Sequence, residues 1–360
     1  NRNTIAVGGT AKLTNKFTVN GTMNYTRTDF ETPPVAAGYG SNVSGENASI
    51  FANLFYTPRS VDLMGLPYQN PVTGESVYYR QGNDIQNPLW TVDNAKNIQN
   101  TNRVFGQIAL NYEINDNLNV VYRYGHDVYS ENNVNYSNKG GKTGSVANQS
   151  GVYQTWNNTN TIDDNNLAIN GRYDITSDLD IQFTLGATSR RDVFDQNGTN
   201  STGQQVFDIQ RHNNFAVQNE RQYFEERNIL AAYGQAELGF KQWAYLTLAA
   251  RKDWVSNLSE DNRSVAYPSA SVSFLPFKAI SALNNIDLVD FLKVRVGYGT
   301  SANFPTGYPI AATLSLNTQD FQSNGVDVVA NTTGAVLGNP LLKPEKMGEL
   351  ELGLEVAMMD

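Results

Sequence analysis

The feature that most constrains this chain is a long, repeated alternation of period two, in which every second residue is apolar and its neighbours are polar. That is the pattern of a sheet with one greasy face and one wet face. Ile5, Val7, Gly9, Ala11 and Leu13 alternate with Ala6, Gly8, Thr10 and Lys12. After Thr14, Asn15 and Lys16 the series resumes at Phe17, Val19, Gly21, Met23 and Tyr25, which predicts a hairpin with a tight turn. The unit returns from Val104 to Tyr112 and Leu118 to Tyr124, then from Leu167 to Tyr173 and Leu179 to Leu185, and again from Leu230 to Phe240 and Trp243 to Ala250. Near the end, Leu350, Leu352, Leu354 and Val356 alternate with Glu349, Glu351, Gly353 and Glu355.

Strand length narrows the choice of sheet. Runs of roughly 9 to 13 residues exceed the usual strand of about 5 or 6 and fit the 9 to 11 that cross a bilayer at a tilt. Their apolar faces end in Tyr25, Tyr112, Tyr124, Tyr173, Phe240 and Trp243, the arrangement of aromatic girdles at the two edges of a lipid-facing band. The carboxylates beside Leu350 to Val356 then require a water-filled interior rather than a dry core. No apolar run is long enough for a membrane helix. With 26 Lys and Arg against 35 Asp and Glu, net charge −9, a nucleic-acid groove is a poor reading because phosphate binding is mostly cationic electrostatics. The absence of Cys excludes disulfides and thiolate metal sites.

Connections supply an independent check. Short turns alternate with long links near 28–101, 128–164, 190–227 and 301–346, the asymmetry of a transmembrane barrel with its long loops outside the cell. Ala48 to Tyr56 reads as either a short helix or a strand. Further strands are expected around Ser145 to Trp156 and Gln204 to Gln218, giving about fourteen in all. The fold class is therefore all-β, a transmembrane antiparallel β-barrel, with residues 1–360 forming one partial barrel domain. Both ends fall on strand-like runs and no soluble module is present, so the chain is expected to be an incomplete arc. Fourteen strands would close a small porin, whereas barrels of about 22 strands are plugged transporters.

Several segments carry a family resemblance. Residues 51–71, beginning Phe51-Ala52-Asn53-Leu54-Phe55-Tyr56-Thr57-Pro58-Arg59, the run Asn87-Pro88-Leu89-Trp90, and Asn102-Arg103-Val104-Phe105-Gly106 leading into a hairpin resemble the barrel of SusC/RagA-type TonB-dependent outer-membrane receptors. Gly338-Asn339-Pro340-Leu341-Leu342-Lys343-Pro344-Glu345-Lys346 followed by Glu349 to Glu355 is similar to the late-barrel motif of TonB-dependent receptors generally. The resemblance implies a 22-stranded barrel in the bacterial outer membrane with an N-terminal plug. It implies coupling to TonB-ExbB-ExbD through a region missing from this sequence, contact with outer-membrane lipid, and a SusD-like lid lipoprotein. The implied activity is import of glycan or peptide nutrients.

Catalytic chemistry has little to build on. His126 and His212 are the two histidines, neither in a metal spacing, and no Ser-His-acid set or paired-carboxylate cleft is apparent. Gly141-Lys142-Thr143 lacks the earlier glycine of a phosphate loop, since position 136 is Tyr136. Asp163-Asp164-Asn165-Asn166 misses the EF-hand pattern and reads as a solvated turn. The expectation is a protein that is not an enzyme and uses no cofactor or metal. Ligand recognition would use aromatic platforms with nearby amides and carboxylates, which suits sugars and peptides alike. The candidates are Tyr56, Tyr68, Tyr78, Tyr79, Asp84, Asn87, Trp90, Trp156 and Tyr308, with loop packing as the plainer reading of each. Arg123, Arg172 and Arg295 alternate into the polar face, where pairing with the wall or a plug is expected. Two rival readings are a passive outer-membrane porin and a soluble β-rich surface binding protein.

Overall fold

A computed structural model describes residues 1–33, 50–77, 86–142, 149–285, 289–317, 322–323, 325–334 and 336–358. Eleven strands form one antiparallel sheet in which neighbours in sequence are neighbours in space. They are β1 (Arg2–Lys12), β2 (Phe17–Thr32), β3 (Ala95–Asn115), β4 (Leu118–Ser137), β5 (Val152–Thr176), β6 (Leu179–Gln204), β7 (Phe215–Phe240), β8 (Ala244–Val255), β9 (Ser264–Phe274), β10 (Val289–Asn303) and β15 (Glu345–Met358). The link from β10 to β15 carries two short ribbons, β11 (Leu314–Asn317) with β14 (Ala330–Thr333) and β12 (Gln322–Ser323) with β13 (Val326–Asp327). Helix α1 (Ile50–Tyr56) and helix α2 (Pro88–Asn94) lie between β2 and β3, and α3 (Pro276–Ala279) follows β9. The segment from Ala48 to Tyr56 is thus helical where described.

Register shows why the alternation matters. Ile5 pairs with Tyr25, Gly21 with Ile108, Ile108 with Tyr124, Tyr122 with Leu167, and Ile169 with Leu185. The series continues through Ala236 and Leu248, Leu246 and Val272, Val272 and Val296, and Val296 and Leu352. The apolar rows of all eleven strands therefore share one face. Among the described residues no second sheet is paired with or stacked on that face, and Ile5 and Leu352 stand 64% and 73% exposed. An apolar surface of this extent belongs in lipid, which argues against the reading of a soluble β-rich surface binding protein.

The ends of the lipid band are marked by chemistry. Toward the short turns the rings of Phe240, Trp243 and Phe274 meet edge to face at 5.2 and 5.5 Å, and Tyr173 stacks on Phe183. At the other end Tyr25 donates to Asn102 Oδ1, Tyr122 to Asn165 Oδ1, and Tyr124 to Asp163 Oδ1, so each phenol finds a partner at the polar edge. Beyond it the same face carries charge: the Arg191 guanidinium grips Glu226 through two bonds of 2.9 Å and holds that carboxyl down to about 2. The stretch from Asn165 to Tyr173 on β5 is what a tilted crossing of a band about 25 Å tall requires.

Two expectations change. The expected links 128–164 and 190–227 are largely strand, because β5, β6 and β7 run 25, 26 and 26 residues and continue far past the lipid band. The strands expected around Ser145 to Trp156 and Gln204 to Gln218 are the distal ends of β5, β6 and β7 where described. The physical reason is that both faces of these extensions meet water, so their sequence carries no apolar alternation. Likewise Asp163 to Asn166 is mid-strand rather than a turn, and the pleat sends Asp163 and Asp164 to opposite faces.

The turn between β7 and β8 places Lys241 and Gln242 at φ of 47° and 59°, both left-handed, closed by Trp243 N–H to Phe240 O. Side chains with a Cβ are disfavoured there. Replacing Lys241-Gln242 by Asn-Gly should stabilise the hairpin by about 1 kcal/mol, measured by denaturant unfolding in detergent. Ile169→Arg, at the middle of the lipid face, should cost about 2–4 kcal/mol, while Gln182→Arg on the wet face should cost no more than about 1 kcal/mol. Equal costs in the same unfolding assay would overturn the assignment of faces.

Candidate functional site

The wet face of the extended strands is the natural place for recognition, because it looks into the lumen and above the membrane. Near the outer edge of the band, Arg103 reaches Asp127 with Nε at 2.8 Å from Oδ1. Asp192 lies between two guanidiniums, accepting from Arg190 Nε at 2.8 Å and from an Arg227 terminal nitrogen at 2.7 Å. A cavity of about 600 Å³ opens beside them, lined by Asn24, Gln107, Arg123, Asp127, Asp164 and Arg190. Arg295 pairs with Glu351 at 2.8 Å across β10 and β15, the wall pairing expected of it.

Farther out, a chain of hydrogen bonds crosses four strands. Glu131 Oε1 on β4 accepts from Asn133 Nδ2 at 2.7 Å and from Asn158 Nδ2 on β5 at 2.9 Å. Asn158 Oδ1 accepts from Gln196 Nε2 on β6 at 2.7 Å, and Gln196 Oε1 accepts from Arg221 Nε on β7 at 2.8 Å. The Arg221 guanidinium lies over the Trp156 ring, 4.4 Å from its centroid. Each member sits at a lumen-facing position of its strand, and the register holds them in line: Asn158 opposite Gln196, and Gly198 opposite both Trp156 and Arg221. The row offers a carboxylate at one end, amides between, and a guanidinium stacked on an indole at the other.

Above the strands the loops are knitted through amides. Asn138, nearly fully buried, donates to Asn94 Oδ1 at 3.0 Å and Asp208 Oδ1 at 3.3 Å and accepts from Gln204 Nε2 and Gln210 Nε2. Three connections thus meet at one side chain. Gly140 sits at φ +94° against Glu75, where an added Cβ would come within 2.8 Å of backbone. In the turn after β6, His212 receives or gives bonds of 2.8 Å to the Thr155 and Ser201 hydroxyls and packs 4.6 Å from the Tyr153 ring.

The sequence-predicted residues separate by place. Trp90 is fully buried in the loop, its Nε1–H donating to Gly74 O at 2.8 Å. Asn87 caps α2, accepting from Leu89 N–H at 3.0 Å and donating to Val77 O at 3.1 Å. Neither presents a surface to a ligand; both hold the fold of this loop. Tyr68 donates to Asp93, whose carboxylate pushes the phenol up, and Tyr308 donates to Glu226 O beside Ser256. Tyr56 ends α1. Tyr78, Tyr79 and Asp84 lie outside the described residues. Trp156 is the candidate that stands on the lumen wall. Sequence reasoning missed Glu131, Asn133, Asn158, Gln196 and Arg221; their common parity was visible, but the register that aligns them was not. Among the described residues no group of three His, Asp or Glu is arranged to hold a metal.

The family model for the TonB dependent receptor-like beta-barrel matches residues 38–359. The chain belongs to that family. It is a β-barrel protein of the bacterial outer membrane. TonB-dependent receptor P3 of Formosa agariphila is 27% identical over 138 residues, which are 38% of this chain and 14% of that protein. TonB-dependent receptor P26 of the same organism is 28% identical over 142 residues, 37% of this chain and 13% of that one. In fold, a chain of the RagAB peptide transporter superposes with a TM-score of 0.78 at 15% identity, over 99% of this chain and 38% of that chain. BauA, the ferric preacinetobactin receptor from Acinetobacter baumannii, gives 0.52 at 13% identity, over 99% and 44%. The chain thus spans less than half the length of the proteins it matches.

Asn138→Ala should leave several buried amides unpaired and cost about 2–3 kcal/mol, read as faster proteolysis of the loops with the barrel still folded. Burial lowers the His212 pKa, so the folded turn favours neutral imidazole. Stability from this group is complete above the unfolded value of about 6.5 and declines as pH falls from there toward the lower folded pKa. Amide protection over 205–214 should therefore drop as pH falls below about 6.5 after correction for intrinsic exchange, and His212→Gln should flatten the profile.

Proposed function

We propose that this chain forms the wall and extracellular vestibule of a TonB-dependent importer that takes an oligosaccharide or peptide nutrient across the outer membrane. Supporting the reading is the lumen-facing row from Glu131 to Arg221 and Trp156, which spans three inter-strand steps or about 14 Å. Amides meet hydroxyls or peptide groups, the indole covers an apolar ring face or side chain, and the two charged ends suit a zwitterionic oligomer. Apart from the buried Asn133 these groups are half-buried on the strand wall, which favours capture followed by release. Energy would arrive from TonB-ExbB-ExbD through a plug region, and a SusD-like lipoprotein would close the mouth.

The test uses the full-length receptor in its own cells. Uptake of labelled oligopeptides and oligosaccharides should stop when TonB is deleted or the proton gradient is collapsed. Trp156→Ala should weaken binding about tenfold or more without changing the amount of folded receptor. Arg221→Gln should hurt an anionic or zwitterionic peptide more than a neutral glycan, which separates the two substrate classes. Uptake that persists without TonB would point instead to the passive porin.

A further inference from the structure

The lipid-facing side of the sheet is not evenly packed. Across β6 to β9 small residues occupy adjoining lipid-facing positions: Ala187 pairs with Ala232 and Gly234 with Ala250, and Ala270 follows on β9. Larger side chains stand on either side, and the result is concave. One hollow of about 570 Å³ has Gly234 and Ala250 on its floor and Phe183, Leu185, Leu248 and Tyr298 as walls. A second, of about 820 Å³, is bounded by Tyr122, Leu167, Leu230 and Trp254. They adjoin on β6, where Leu185 lines one and Ala187, the next residue on that face, lines the other. Together they make a groove that descends from the outer girdle toward the middle of the membrane.

The mouth of the groove differs from its floor. Asn165, Ser189, Asn228, Ser256 and Arg263 line the outer hollow at the level where phenols and carboxylates mark the edge of the lipid. Lys252 shares this face, opposite Ala232 and Ala266 and between Ala250 and Trp254. Its ammonium lies 5.1 Å from the Trp254 ring centroid and has no carboxylate partner among the described residues. Arg191, farther out on the same face, is already taken by Glu226. A lysine on a lipid-facing surface lifts its charge toward the headgroups, where an anion offsets the cost of leaving water.

We infer that β6 to β9 hold one phosphorylated lipid of the outer leaflet, its acyl chain lying in the groove over Gly234 and Ala250 and its phosphate meeting Lys252. Any lipid can wet an apolar wall. A groove that narrows onto small residues below an unpaired cation selects a lipid with a chain and an anionic headgroup in that order. The inference rests on which face meets lipid and is independent of what the lumen transports.

The receptor, purified from its own outer membrane in mild detergent, should retain a phosphorylated lipid visible by native mass spectrometry. After delipidation it should bind spin-labelled phosphatidylglycerol in preference to spin-labelled phosphatidylcholine, and inorganic phosphate should not displace the bound probe. Lys252→Ala should weaken the anionic probe roughly fivefold and leave the neutral one unchanged. Ala250→Phe, which fills the groove while keeping the cation, should lose both, with heat-modifiable gel migration confirming a folded barrel. Equal binding of the two lipids, retention by folded Ala250→Phe, or displacement by free phosphate would overturn the assignment. So would disulfide-linked dimers of Leu248→Cys in native membranes, which would show a second copy covering this face.

Discussion

The requirement that every backbone N–H and C=O find a partner inside the sheet governs this molecule more than any side chain does. In hydrocarbon an unpaired peptide group costs several kcal/mol, so a chain that crosses by strands must pair each with its neighbour along the whole crossing. The registers from β2 to β7 shift beside the turns, at Glu113/Asn115 and Asp174/Thr176, and run through the lipid band between them, which meets that demand. Once the ladders are fixed, the pleat decides everything else: a residue faces lipid or lumen according to parity, and a one-residue slip would exchange the two faces. Leu354 and Glu355 are neighbours in sequence and inhabit different solvents.

That dependence explains what could be read from the sequence. Inside the lipid band the two faces differ strongly in polarity, so the hairpins from Ile5 to Tyr25 and from Leu230 to Ala250 announce themselves. Above the band both faces are wet, and the same backbone continues through Asn157, Asn158, Thr159 and Asn160 with no apolar signal to betray it. The extensions of β5 to β7 were therefore hidden within apparent loops. The site suffered similarly. Trp156 drew notice as an aromatic, but the amides and charges that line up with it come from positions far apart in sequence. Trp90 and Asn87 drew notice for their residue types, which in this fold serve a buried indole and a helix cap.

The extracellular parts use polar chemistry where a soluble protein would use a core. Buried apolar side chains are few among the described residues, and amides such as Asn138, Asn94 and Gln204 occupy buried positions instead. Carboxamides donate and accept at once, so one buried Asn can tie together backbone-rich loops that offer little apolar surface. Such a network is unforgiving, since each member supports several others. It holds the loops in one arrangement over the vestibule wall.

The continued strands also set a geometry. A ladder of 26 residues on β6 or β7 measures about 85 Å along the strand, roughly 60 Å in height at a barrel tilt of about 40–45°, of which the apolar band takes about 25 Å. The rim therefore rises above the bilayer as a stiff chimney rather than a fringe of loose loops. Whatever seals it must act at that altitude, more than a membrane's thickness from the cell interior, and any command from below has to travel through the pore contents or the staves themselves.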